Sequence, residues 1–247
     1  MVTLTTPDGA TISSVEGWTR PKQATHWQDG RSAKELAKAW FRAENPPANL
    51  TNLFLTHFSK IEFWEGRPER ETRLPEFGEG RNHDLWLQGS ADAKLFTVCI
   101  EAKVDEPFGN QSVGAYRASG IARREDGEST RVPERIDSLL RIVGVRDAAW
   151  DELRYQLLTG VAGTVLQARL DNASHAAFVV WEFRPPPADK KAEKIEAKKR
   201  AANARELDLL LTLLRGETTR FESGMLYGPF PFGDVEIYVG KIVETLT

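Results

Sequence analysis

Two carboxylates and an ammonium brought to one point can hold a hard cation and act on a phosphate ester. The stretch His83–Asn110, HDLWLQGSADAKLFTVCIEAKVDEPFGN, contains such a set. In its second half Thr97, Cys99, Glu101 and Lys103 alternate with Phe96, Val98, Ile100, Ala102 and Val104. A period of two is that of a strand, so Glu101 and Lys103 share a polar face behind which lies an apolar one. By the same rule Asp84, Trp86 and Gln88 share one face of the first half, with Leu85 and Leu87 on the other. If the two runs pair, Asp84 approaches Glu101 and Lys103.

Two carboxylates a few ångströms apart repel, and one takes up a proton unless a cation lies between them. Mg²⁺ (or Mn²⁺) answers this, because it prefers oxygen ligands and keeps several waters. A lysine beside the ion positions or deprotonates a water, or stabilises charge building on a phosphate. The plainer account is a surface salt bridge between strand neighbours, which contributes little. An Asp at the start of one strand and an apolar setting for Glu-Ala-Lys favour a site over that account.

Asp84, a gap of sixteen residues and then Glu101-Ala102-Lys103 resembles the PD-(D/E)XK nuclease superfamily, with His83 standing where many members have proline. Val104-Asp105-Glu106-Pro107-Phe108-Gly109 followed by Gln111 is similar to an uncharacterised branch of it. The resemblance implies an α/β, restriction-endonuclease-like core: a mixed β-sheet flanked by helices, in one domain over residues 1–247. It further implies Asp84 and Glu101 as metal ligands, with the Ala102 carbonyl as another, and Lys103 as catalytic lysine. Gln111 and Tyr116 resemble the Gln and Tyr on the helix that follows the motif in some members. Gln111 is then a further catalytic residue, and Tyr116, with Arg81 just before the Asp, a substrate contact. The implied partner is nucleic acid, DNA first, cut in a metal-dependent hydrolysis, with a homodimer as the family's frequent assembly. The alternative is a non-catalytic module of the same fold that binds nucleic acid or a partner protein.

Around this motif the chain supplies positioning elements. Residues 1–31 read as an irregular arm, and Ser32-Ala33-Lys34-Glu35 as a capping box opening a helix to about Ala43. Pro46-Pro47 ends that helix, and Leu50, Leu53, Phe54 and His57 mark another. Ile61 to Trp64 reads as a strand, followed by a charged run in which Glu69 and Glu71 are the favoured candidates for a third carboxylate. Helices are expected over 111–124, 133–143 and 148–170, and a strand buried on both faces over His175–Phe183. Residues 189–214 read as one long helix, basic in its first half and apolar in its second, and DVEIYVGKIV as a last strand. The basic half is open to two readings, a rod contacting phosphates or an ordinary solvated helix face.

Composition narrows the classes. With 247 residues, 40% hydrophobic and 28% charged, the chain is of ordinary globular type. No run reaches the roughly 18 apolar residues of a membrane span. The opening MVTLTTPDGATISS lacks a basic-then-apolar pattern, so no secretory signal is expected. One cysteine, Cys99, excludes an internal disulfide and fits a cytoplasmic setting, with a buried thiol expected. A net charge of −3 argues against a protein that coats nucleic acid, but allows a local basic groove leading to an acidic site. No phosphate-binding Gly-rich loop, nucleophile elbow or zinc-like histidine spacing is present.

Overall fold

The alternation that defines the motif becomes the middle of a sheet. In the computed structural model, which describes residues 1–246 except 22–24, 26, 43, 44, 77, 146 and 147, strand β4 (Arg81–Ala91) and strand β5 (Lys94–Lys103) form an antiparallel hairpin. Asp92 and Ala93 make its turn with φ of 45° and 68°. Two left-handed residues match the twist of the strands they join. The remaining strands are β1 (Thr3–Thr5), β2 (Thr11–Ile12), β3 (Ile61–Thr72), β6 (His175–Arg184), β7 (Leu226–Phe232) and β8 (Val235–Thr245). They form one mixed sheet of order β2-β1-β3-β4-β5-β6-β8-β7. Strands β5, β6 and β8 run parallel to one another, as do β1 and β3, whereas β4 is antiparallel to β3 and β5 and β7 is antiparallel to β8.

Among the described residues six α-helices flank this α/β sheet: α1 (Ser32–Arg42), α2 (Ala48–Leu55), α3 (Val113–Glu125), α4 (Val132–Ile142), α5 (Tyr155–Leu170) and α6 (Lys190–Arg215). Ala43, the expected end of α1, lies outside the described residues. One face of the sheet, with Leu85, Leu87, Val98, Ile100 and Ala102, packs on Leu36, Trp40, Leu53 and Phe54 of α1 and α2. The other, with Phe178, Val180 and Val239, packs on α4, α5 and the second half of α6. Because α5 covers the central strands, it must come close. A Cβ at Gly160 would sit 2.6 Å from the Phe178 ring, and one at Gly163 would sit 2.9 Å from Arg81 Cγ. Glycine at these two places lets the helix lie against the strands that carry the motif.

Several expectations need correction. Strand β3 runs through the charged segment to Thr72, its charges lying toward the solvent or the site. The N-terminal arm is not irregular throughout, since β1 pairs with β2 and β3. Strand β7 carries Pro229 and Pro231, which mask it in the sequence; prolines are tolerated because β7 is an edge. The helix expected over 148–170 is a short 3-10 turn at Ala148–Glu152 and then α5, which begins only at Tyr155. Glu35 reaches back as a capping-box glutamate would, but to the N–H of Gly30 at 2.8 Å. No helix among the described residues is long and apolar enough to cross a membrane.

Candidate active site

Strand alternation breaks where Asp84 sits. Trp86 faces α5, donating its indole N–H to Asp171 at 2.7 Å, and His83 also faces α5, its ring lying beside Gly163. Two residues three apart cannot share a face of a regular strand, so the pleat shifts across Asp84 and Leu85. On the neighbouring strand Glu69 lies between the pairs Pro68–Leu85 and Arg70–His83 with φ of 53°, in the left-handed region. Period-two alternation would put His83 on the face of Leu85 and Leu87; instead it faces α5, and it is fully buried. Freed from alternation, the Asp84 carboxylate turns along the sheet and accepts the Ala102 N–H at 2.6 Å. Ala102 lies beyond the last β4–β5 pair, Leu85 with Ile100, and its carbonyl projects from the same edge of β5 as its N–H.

Glu101 is the most heavily engaged residue of the site. Lys103 Nζ lies 2.8 Å from its Oε1, Gln156 Nε2 donates to the same oxygen at 2.8 Å, and Arg81 pairs with its Oε2. The Gln156 carbonyl oxygen also accepts from Lys103 Nζ at 3.3 Å, so one amide from α5 spans the carboxylate and the ammonium. Burial works against ionisation of Glu101, but the Arg81 and Lys103 charges outweigh it and hold its pKa below the ordinary value. Asp84 is the opposite case. Burial, with the neighbouring carboxylates of Glu101 and Glu69, holds its pKa well above the ordinary value; the Ala102 N–H and Lys103 offset this only in part.

Arg81, Asp84, Glu101 and Gln156 line a cavity of about 650 Å³, and Lys103 lies behind Glu101 outside that lining. Glu69, Arg81, Asp84 and Glu101 line it from the sheet, Tyr116 and Arg123 from α3, Arg131 and Arg135 from the start of α4, and Tyr155 and Gln156 from α5. Asp84, Glu101 and Lys103 are thus brought together, with Ala102 between them. Tyr116 lines the cavity, its ring centroid 4.6 Å from that of Tyr155. Arg81 is present but buried, and its guanidinium is committed to Glu101 instead of projecting toward a phosphate. A buried carboxylate needs a cation more than solvent does. Gln111 is exposed and outside the cavity lining; its carbonyl accepts the Tyr155 N–H at 3.1 Å. The glutamine that reaches Glu101 and Lys103 is Gln156. Of the favoured acids, Glu69 lines the cavity, whereas Glu71 takes the Gly80 N–H at 3.2 Å.

Among the described residues no group of three or more His, Cys, Asp or Glu side chains surrounds a metal position. Mg²⁺ needs fewer, being held commonly through one or two carboxylates and waters. Asp84, half-buried beside two other carboxylates and short of positive charge, supplies the donor chemistry that such an ion requires. The residues therefore fit it.

A second ionic cluster shares this face of the sheet. Glu182, opposite Lys103 in the β5–β6 register, pairs with Lys241 at 2.7 Å and Arg184 at 2.6 Å. The apolar pattern of β6 points to a structural strand and gives no sign of this cluster. Cys99 is buried as expected, and burial pushes its thiol pKa up, leaving an inert group.

No curated protein and no solved structure matches the chain. Residues 11–246 match the family described as Domain of unknown function (DUF6946), and with nearly its whole length covered the chain belongs to that family.

Proposed function

We propose that this protein is a Mg²⁺-dependent nuclease that hydrolyses DNA phosphodiester bonds, with a restriction-endonuclease-like core. One observation carries the reading: Asp84 and Glu101 line one cavity, with Lys103 paired to Glu101 at 2.8 Å and Asp84 left short of compensating charge. The element order supports it, with a helix, a strand, the Asp strand, the Glu-Ala-Lys strand, helices and then a parallel strand. Asp84 and Glu101, with the Ala102 carbonyl, would hold the ion. When bound, it would polarise a phosphate oxygen and lower the pKa of a water. Lys103 then orients that water or stabilises charge on the phosphate. Gln156 keeps the ammonium and Glu101 in register, and Arg81 keeps Glu101 ionised. Arg123 and Arg131, on the cavity wall, provide positive charge for the flanking phosphates.

A second reading has its own support. Both oxygens of Glu101 are already bonded to Arg81, Lys103 and Gln156, as in a closed structural ion pair. That favours a non-catalytic module of the same fold. Titrating Mg²⁺ or Mn²⁺ into the wild type and Lys103→Ala, with plasmid, linear and single-stranded DNA, separates the two. Metal-dependent cutting that disappears in the variant is the expected result. DNA left intact at every metal concentration sinks the nuclease.

A further inference from the structure

Helix α6 changes character along its length. From Asn203 onward it is docked: Asn203 donates to the Glu106 carbonyl at 2.9 Å, and Leu207, Leu210 and Leu211 are buried in the core. Lys199 pairs with Asp105 at 2.5 Å, which ties the middle of the helix to the loop that follows Lys103. Before this anchor the helix is largely open to solvent, with Lys190, Lys191, Lys194, Ile195 and Lys198 exposed.

At 100° per residue, Lys190, Lys191, Lys194, Lys198 and Arg205 fall within an arc of about 100°. Leu207, Leu210 and Leu211 lie on the opposite side, so the basic stripe faces away from the body of the protein. Glu193 and Glu196 lie off the stripe, and Glu196 is paired with Arg200 at 3.4 Å. Among the described residues none of the five stripe side chains makes a hydrogen bond or ion pair. Two intrinsic effects oppose this arrangement. Lys190, Lys194 and Lys198 repel at four-residue spacing. Lys190 and Lys191 also put cations in the first turn, where the helix dipole disfavours them. The fold itself gains nothing from the stripe.

We infer that the exposed face of α6 is a contact surface for a nucleic-acid backbone, engaged beyond the phosphate held at the Asp84–Glu101–Lys103 site. This deepens the proposed function and rests on its nucleic-acid partner. Lys190 to Arg205 spans about 22 Å along the helix, the rise of roughly six phosphates of one strand. An anionic lipid surface has the same charge, but a helix lying in it needs an apolar face. Ile195 is the one large apolar side chain exposed in this stretch.

The test is the full chain against a variant with Lys190→Gln, Lys191→Gln, Lys194→Gln, Lys198→Gln and Arg205→Gln. Glutamine is a good helix former, and circular dichroism checks that α6 persists. Binding to a labelled 30-base-pair duplex is followed by anisotropy over a salt series, with chelator present. The variant is expected to bind at least about tenfold more weakly at low salt. Its slope of log K against log salt should be shallower by up to about 4.5, at about 0.9 for each phosphate that the protein no longer neutralises. Equal slopes and affinities, or no duplex binding by the wild type, overturn the inference. So does stripe-dependent binding to phosphatidylserine vesicles with none to the duplex. Cutting by wild type and Lys103→Ala tests the nuclease reading separately. A protein that binds through the stripe without cutting keeps this surface and loses that reading.

Discussion

Two ionic clusters lie on one face of the sheet, on adjacent strands, and they are built to opposite rules. Around Glu182 a single carboxylate meets two cations, Lys241 and Arg184. Burial opposes its charge, yet these partners bring its pKa below the ordinary value. Around Asp84 the carboxylates of Glu101 and Glu69 raise its pKa, while the nearby cations Arg81 and Lys103 are paired with Glu101. The first cluster is satisfied within the chain. Asp84 in the second is not, and the left-handed Glu69 and interrupted β4 pleat beside it are further departures from regular structure. Strain and uncompensated charge persist where function requires them, so the contrast separates a structural ion pair from a candidate site.

The largest effect that would sharpen this contrast is at Lys103. Lys103→Ala is expected to reduce single-turnover DNA cleavage by about 10²–10⁴-fold, the usual range for a positioned acid–base group. Its melting temperature should fall as well, because Lys103 is one of two cations on a buried carboxylate, so cleavage is compared below that transition. On the balanced side, Lys241→Ala should cost about 3–5 kcal/mol in urea unfolding by leaving a buried carboxylate short of its nearest cation. Cleavage by the protein that remains folded should be unchanged. If Lys241→Ala were silent in unfolding, the two clusters would not differ as described.

Asp84→Asn should act in the reverse sense. A carboxyl whose pKa is raised by folding is a burden when ionised. Its neutral counterpart should therefore stabilise the metal-free protein by about 0.5–2 kcal/mol while abolishing cleavage. A lower melting temperature for this variant would contradict the charge imbalance. The smallest effect is the acid limb of stability. Glu182 has a folded pKa below its ordinary 4.5, so its contribution is complete above 4.5 and is lost as pH falls through the lower folded value. Acid unfolding of Glu182→Gln should be correspondingly shallower in that window than that of the wild type.

The motif is legible in the sequence because its placement is local. Asp84 and Glu101 stand on two strands joined by a two-residue turn, and period-two alternation aligns Glu101 with Lys103. Gln156 is legible only as a polar residue off the buried stripe of its helix, able to line a groove or face solvent; its bond to Glu101, 55 residues away, is not. Gln111 is the nearer glutamine on the expected helix, but the chain places it outside the cavity. Arg81 is rightly expected near the site but with the wrong partner, since sequence does not show how deeply Glu101 is buried. Glu182 is inconspicuous inside an apolar strand because Lys241, which makes it tolerable, arrives only in the last strand.

By itself the sequence determined the central strands, most helices and the pairing of an Asp with a Glu-Ala-Lys, since these follow from side-chain period and turn chemistry over a few residues. Tertiary structure alone decided the balance of charge around each carboxylate and which helix closes the cavity. Those depend on desolvation and on partners from distant segments, and neither is encoded in local spacing.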